Sequence, residues 1–248
     1  MFETNKRDEQ MISKRPLIGL TTYGRKETGE YSLPAQYIDS VRRAGGIPVL
    51  VAPGETNLET LCQSLDGIIL TGGGDIHPDQ YKGNSHALMY KVDEQRDATE
   101  LELTKLILEK DIPALAICRG LQILNIFFGG TLYEHIPDVF EETVLHRLPP
   151  RETVKHMVDV IKGSKLHGIV GSDKIEVVSW HHQAVRDVPK NLTITARSDD
   201  GIVEGIELDS HSWLVAVQWH PELSASNDVL QQKLFNALIE ASLKTKEN

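Results

Sequence analysis

Two cysteines, Cys62 and Cys118, are all that this 248-residue chain carries. Two are too few for a disulfide framework, and neither belongs to a Cys-x-x-Cys pair of the metal-binding kind. A basic surplus is missing as well: 26 Lys and Arg face 36 Asp and Glu, for a net charge of −10. Without a basic face, partners such as nucleic acid or an anionic membrane surface are not expected. No apolar run approaches the roughly 18 residues of a spanning helix. The polar first 15 residues also lack the apolar stretch of a signal peptide. The expected setting is cytoplasmic, where reducing conditions suit a working thiol.

What is present is an ordinary globular composition, 40% hydrophobic and 25% charged, at a length that suits one α/β domain with a full core. Residues 1–15 read as a disordered leader, 16–243 as a single domain and 244–248 as a polar tail. Apolar strand patterns at 16–21, 47–51, 66–70 and 112–117 alternate with helical patterns at 34–44, 58–65, 94–110 and 121–128. The third of these helices carries Leu101, Thr104, Leu106 and Leu108 in its expected apolar set, and 77–92 reads as loop. Such alternation predicts a mainly parallel sheet covered on both faces. Beyond Pro137 the texture becomes β-rich, with strands expected at 153–161, 174–179, 192–196, 203–208 and 213–219, then a closing helix over 226–243.

Cys118 stands where an apolar strand runs into Arg119-Gly120 and a densely apolar helix. This is a strand–turn–helix elbow, and the small residues Ala116 and Gly120 allow its sharp bend. A cysteine at a helix N-terminus meets the macrodipole and free N–H groups that favour a nucleophilic thiolate. The competing reading is a small buried hydrophobe, which is how Cys62, beside Leu61 and Leu65 in a helical pattern, is read.

A thiolate nucleophile needs a base, and the base needs a group to hold it. The run Gln218-Trp219-His220-Pro221-Glu222 supplies both, because a spacing of two on extended chain turns His220 and Glu222 to one side. Both Cys118 and His220 fall at carboxyl ends of strands, where reactive groups of α/β sheets gather. Thr71-Gly72-Gly73-Gly74-Asp75 lacks the Gly-Lys-Ser/Thr of a phosphate loop. It offers instead an oxyanion hole built from the amides of Gly73 and Arg119, or simply a turn leaving the sheet. His181-His182-Gln183 closes another strand and is open to substrate contact or to loop hydrogen bonding. A metal is not expected there, since no His-x-x-x-His helix or cysteine pairing accompanies it. The histidines at 77, 86, 135, 146, 156, 167 and 211 are scattered and read as mostly solvated.

Taken together, Ala116-Ile117-Cys118-Arg119-Gly120-Leu121-Gln122, Gly72-Gly73-Gly74, His181-His182-Gln183-Ala184-Val185 and Gln218 to Glu222 resemble the class I glutamine amidotransferase-like superfamily. Within it the chain is most similar to the γ-glutamyl-γ-aminobutyrate hydrolase family, peptidase family C26; Ala116, in place of the glycine of many amidotransferases, points to that branch. The resemblance implies a flavodoxin-like three-layer α/β/α fold and a Cys118, His220, Glu222 triad. It also implies a glutamyl pocket touched by Gln122, His182 and Gln183, with no metal or organic cofactor. The implied activity is hydrolysis of a small γ-glutamyl amide through a cysteine thioester; the alternative is the glutaminase subunit of a two-protein amidotransferase. The sequence leaves the oligomeric state open, a homodimer included.

Overall fold

The computed structural model describes residues 15–141 and 143–244. The expected leader, apart from Arg15, and the tail beyond Lys244 lie outside the described residues. In chain order the first half contains β1 (Leu17–Thr21), α1 (Ala35–Arg43), β2 (Ile47–Val51), α2 (Leu58–Ser64), β3 (Gly67–Leu70), α3 (Glu94–Glu109), β4 (Ala114–Ile117) and α4 (Arg119–Phe127). The second half adds β5 (Leu132–Tyr133), β6 (Val154–Val160), α5 (Lys165–Val170), β7 (Lys174–Ser179), β8 (Ala184–Val185), β9 (Thr193–Ser198), β10 (Val203–Glu207), β11 (Leu214–Val217) and α6 (Val229–Lys244).

One nine-stranded sheet runs in the order β2-β1-β3-β4-β11-β10-β9-β6-β7. Its first five strands pair in parallel, and the rest continue antiparallel from β11. The β-rich second half is therefore an extension of the same sheet. Strands β3 and β4, Gly-Ile-Ile-Leu and Ala-Leu-Ala-Ile, are buried throughout, as central parallel strands with both faces covered must be. Their alternation divides the core. Ile68, Leu70, Ala114 and Ala116 meet α2, α3 and α4 on one face. Ile69, Leu115 and Ile117 meet α1, α5 and α6 on the other, which gives three layers.

Three expectations are corrected. The core face of α3 is Leu103, Leu106 and Ile107 with Thr104, whereas Leu101 and Leu108 are only partly buried. A run of charged residues, Arg96, Asp97 and Glu100, is buried on the same helix, which shifts the apolar stripe by one or two positions. Neither α5 nor the two-stranded β5–β8 ribbon was expected; both are too short to leave a periodic signal.

The parallel half fixes the site. Strands β3, β4 and β11 point the same way, so the chain leaving each one, at Gly72–Gly74, Cys118 and His220, emerges along one edge of the sheet.

Candidate active site

Cys118 is the sole residue between β4 and α4, with φ +52° and ψ −102°. A side chain held there costs on the order of 1–3 kcal/mol, so the surroundings must impose it. Its N–H donates to Val217 O (2.8 Å), lashing the bend to β11, while its carbonyl accepts from Gln122 N (3.2 Å) and opens α4. Gly120 is obligatory, because a β-carbon there would stand 2.3 Å from Leu70 O. The sulfur, 5% exposed as a residue, receives Gln218 Nε2 at 3.5 Å.

His220 follows β11 and is anchored by its own N–H to Val178 O (2.8 Å). Pro221 starts a single 3-10 turn, Pro221–Leu223, that folds Glu222 back beneath the ring. Glu222 Oε1 lies 2.6 Å from His220 Nδ1, with both side chains buried. Burial alone would lower the His220 pKa. The Glu222 carboxylate, followed by the charge of the Cys118 sulfur and a hydrogen bond to it, overcomes that effect and holds the imidazole well above its ordinary value. Folding has thus brought Cys118, His220 and Glu222 into one line. With Nδ1 engaged by the carboxylate, Nε2 is the nitrogen left for the sulfur.

The glycine turn packs directly on this line. Gly72 N–H donates to Tyr37 Oη (3.0 Å), and a β-carbon on Gly72 would lie 2.6 Å from His220 Cε1. Burial raises the Tyr37 phenol, and the Glu222 charge adds to it, so the hydroxyl keeps its proton. Beneath the turn, Arg96 Nη2 donates to Gly72 O (2.8 Å) and Thr71 O (3.1 Å), and Nε donates to Glu100 (2.8 Å). The Arg119 side chain points into the same buried network, at 2.6 Å from Asp97 and 3.3 Å from Glu100. Only its backbone amide, first in α4 and so without an intrahelical acceptor, is left to face a reacting group.

Gly73 (φ +150°) lines a cavity of about 550 Å³ shared with His220, Tyr90, Lys91, Arg151 and Trp180. Arg151 lies over the Tyr90 ring at 3.8 Å, and the Trp180 ring is 5.9 Å from His220. The three expected pocket residues stand further back. Gln122 Nε2 donates to Gln218 Oε1 (3.3 Å) and Gln183 O (3.4 Å), and thereby steadies the amide that touches the sulfur. Gln183 Nε2 donates to Glu134 O (3.4 Å). His182 has both nitrogens engaged, Nε2 by Asp75 (3.0 Å) and Nδ1 by His135 (3.1 Å), and lines a neighbouring cavity of about 410 Å³.

The sequence reading assigned no role to Tyr37, Arg96, Trp180 or Gln218. Trp180 and Gln218 adjoin the recognised histidines and could have been found by that adjacency; Tyr37 and Arg96 had no local signal. The histidine reading is also corrected: His146 and His211 are buried, because each is enclosed with a carboxylate or carbonyl partner. Cys62 is core as expected, and burial pushes its thiol up to about 11.

With this geometry in place, four likenesses bear on it. Residues 16–222 match Peptidase C26. A protein of Rickettsia prowazekii with the provisional name of glutamine amidotransferase-like protein is 34% identical, over 93% of this chain and 99% of its own length. The γ-glutamyl-γ-aminobutyrate hydrolase PuuD of Escherichia coli K12 is 32% identical, over 93% of this chain and 94% of its own. Among solved structures, a glutamine amidotransferase from Thermotoga maritima superimposes with a TM-score of 0.61 over 95% of this chain and 100% of that one. At 16% identity, that likeness speaks for the fold alone.

Proposed function

Because the chain belongs to the peptidase C26 family, enzymes that act on amide bonds, we propose that it hydrolyses the γ-glutamyl amide of a small molecule through Cys118. The observation that carries this reading is the buried line Cys118–His220–Glu222, with its raised imidazole, at the edge of a cationic cleft.

The Cys118 thiolate attacks the γ-carbonyl carbon, and the carbonyl electrons move onto oxygen. The amides of Gly73 and Arg119 face that oxygen and stabilise its charge. Collapse of the intermediate breaks the C–N bond, and His220 gives its proton to the departing amine. His220, now neutral, takes a proton from water, whose hydroxyl attacks the thioester. Glutamate leaves, and the thiolate–imidazolium pair is restored. Glu222 holds the ring and balances its charge through both steps.

The cleft favours an anionic substrate. Arg25, Lys26, Lys91 and Arg151 are exposed at its wall and outnumber the carboxylates there, Glu27 and Asp93, a match for the α-carboxylate of a glutamyl group and for a second carboxylate on the amine half. The similarity to PuuD supports γ-glutamyl-γ-aminobutyrate as the first substrate to test. The similarity to the Rickettsia protein favours the second reading, a glutaminase that hands ammonia to a synthetase. Assaying the purified chain on γ-glutamyl-γ-aminobutyrate and on glutamine separates the two. Partner-free release of glutamate from the first supports the hydrolase, whereas turnover of glutamine only alongside a co-purifying protein overturns it.

A further inference from the structure

Apart from the triad stands a second group of titratable side chains, His146, His156, His181 and Glu204, which the proposed reaction does not use. Each histidine has one ring nitrogen already committed. His146 Nε2 is 2.9 Å from Asp200 Oδ2, His181 Nδ1 is 2.9 Å from Gln183 O, and His156 Nδ1 is 3.1 Å from Met157 O. A carbonyl can only accept, so in His156 and His181 the proton sits on Nδ1 and Nε2 presents a lone pair.

The three remaining nitrogens converge on a single oxygen. His146 Nδ1, His181 Nε2 and His156 Nε2 lie 3.2, 3.5 and 3.6 Å from Glu204 Oε1. Among the described residues, none of the three and neither oxygen of Glu204 makes a well-aligned hydrogen bond, although Glu204 is fully buried. Unmade hydrogen bonds at such a buried place cost about 1–3 kcal/mol each or more. A cation among them takes all four groups as ligands and displaces the proton that Asp200 and Glu204 favour on His146.

We propose that His146, His156, His181 and Glu204 bind one divalent first-row transition ion, with zinc as the ion to test. Ligands about 2.0–2.1 Å from a tetrahedral zinc stand roughly 3.3–3.4 Å from one another. The three nitrogen–oxygen spacings straddle that value, and no two ligand atoms are more than 4.8 Å apart. The outer ring is also that of a metal site, because each imidazole gives its other nitrogen to a carboxylate or carbonyl that fixes ring orientation. Three imidazoles with one carboxylate suit zinc and its neighbours better than magnesium or calcium, which take oxygen ligands. Four protein ligands leave no open position, so the role is structural.

The ion adds a tie to segments already joined by His181 N–H to His146 O (3.1 Å) and Ser179 Oγ to His146 O (2.8 Å). His156 lies on β6, Glu204 on β10, His181 just after β7, and His146 in the irregular segment that leads to Arg151. Trp180 Nε1 donates to Arg151 O (2.6 Å), and both residues line the cleft. Binding therefore braces the wall that carries Arg151 and Trp180. The expectation of no metal rested on His181-His182 considered alone, whereas the proposed site draws three of its four ligands from elsewhere in the chain.

The test uses untagged full-length protein, both wild type and Cys118→Ala, so that zinc held by the reactive thiol is counted separately. After chelator treatment and desalting, zinc chloride should restore one tightly held zinc per chain in both forms and raise Tm by roughly 5 °C or more. Cobalt(II) in its place should give the intense visible bands of a four-coordinate centre. Glu204→Gln and His156→Ala should lose the metal and the Tm rise, while the peripheral His167→Ala keeps both. Absence of stoichiometric zinc or cobalt in stripped wild type overturns the proposal, as does retention in both cluster variants. Should those variants fail to fold, the wild-type stoichiometry and cobalt spectrum decide it. None of these readouts depends on amide hydrolysis, so failure of the proposed function would leave the result unaffected.

Discussion

Gly72 lies against His220 so closely that a β-carbon on the glycine would stand 2.6 Å from the ring's Cε1 and 2.9 Å from Tyr37 Oη. The turn and the imidazole are thus a fitted pair. Gly72→Ala must displace the ring, its tyrosine neighbour or the turn, and a shift of a few tenths of an ångström to 1 Å in a reacting group costs up to about 10²-fold in rate. The expected result is a fall of that order in kcat/KM with the fold retained at a cost of about 1–3 kcal/mol, read by steady-state kinetics beside a thermal melt.

The positive φ of Cys118 stores strain that serves the site and not the fold. Cys118→Gly should be more stable than Cys118→Ala by about 1 kcal/mol, because glycine adopts that conformation freely. Both should be inactive. Equal melting temperatures for the two variants would show that the elbow is not strained.

The raised His220 imidazole sets a pH dependence with a definite sign. Its folded value lies above the unfolded one near 6.5. The stability it contributes is therefore complete below about pH 6.5 and drains away as pH climbs through the folded value. Activity should fall on the alkaline side as His220 loses the proton it gives to the leaving amine. Glu222→Gln removes the largest raising influence, so the alkaline limb of kcat/KM should move to lower pH. An unmoved limb would mean that Glu222 does not govern the ring.

Arg119 illustrates what the chain sequence could and could not tell. Its neighbourhood was readable: a strand, a bend, a glycine and an apolar helix follow one another without interruption, and the backbone amide could be assigned from that order. Its side chain was not readable, because Asp97 and Glu100 reach it from a helix whose charged residues look solvated when written out in line. The same limit hid His146, His156 and Glu204, which share no spacing and meet only after β6, β7 and β10 have formed one sheet. By contrast, His220 and Glu222 were legible because two residues and a proline suffice to hold them together. The parallel half of the sheet announced itself by strand–helix alternation, whereas the antiparallel half read as an addition since hairpins carry no sign of which edge they join.

That buried network supports a stability prediction. Arg119→Ala takes from buried Asp97 its guanidinium partner and leaves Glu100 with Arg96, and breaking a buried pair costs about 3–5 kcal/mol. Urea unfolding should show a loss of that size; a change below about 1 kcal/mol would mean that water already reaches the pair.

The most direct measurement is the acyl-enzyme itself. Acid quenching during turnover of a γ-glutamyl anilide, followed by peptide mass spectrometry, should find one glutamyl group on the peptide bearing Cys118 and none in Cys118→Ala. Steady hydrolysis by Cys118→Ala at the wild-type rate, or a glutamyl group on any other residue, would contradict the account.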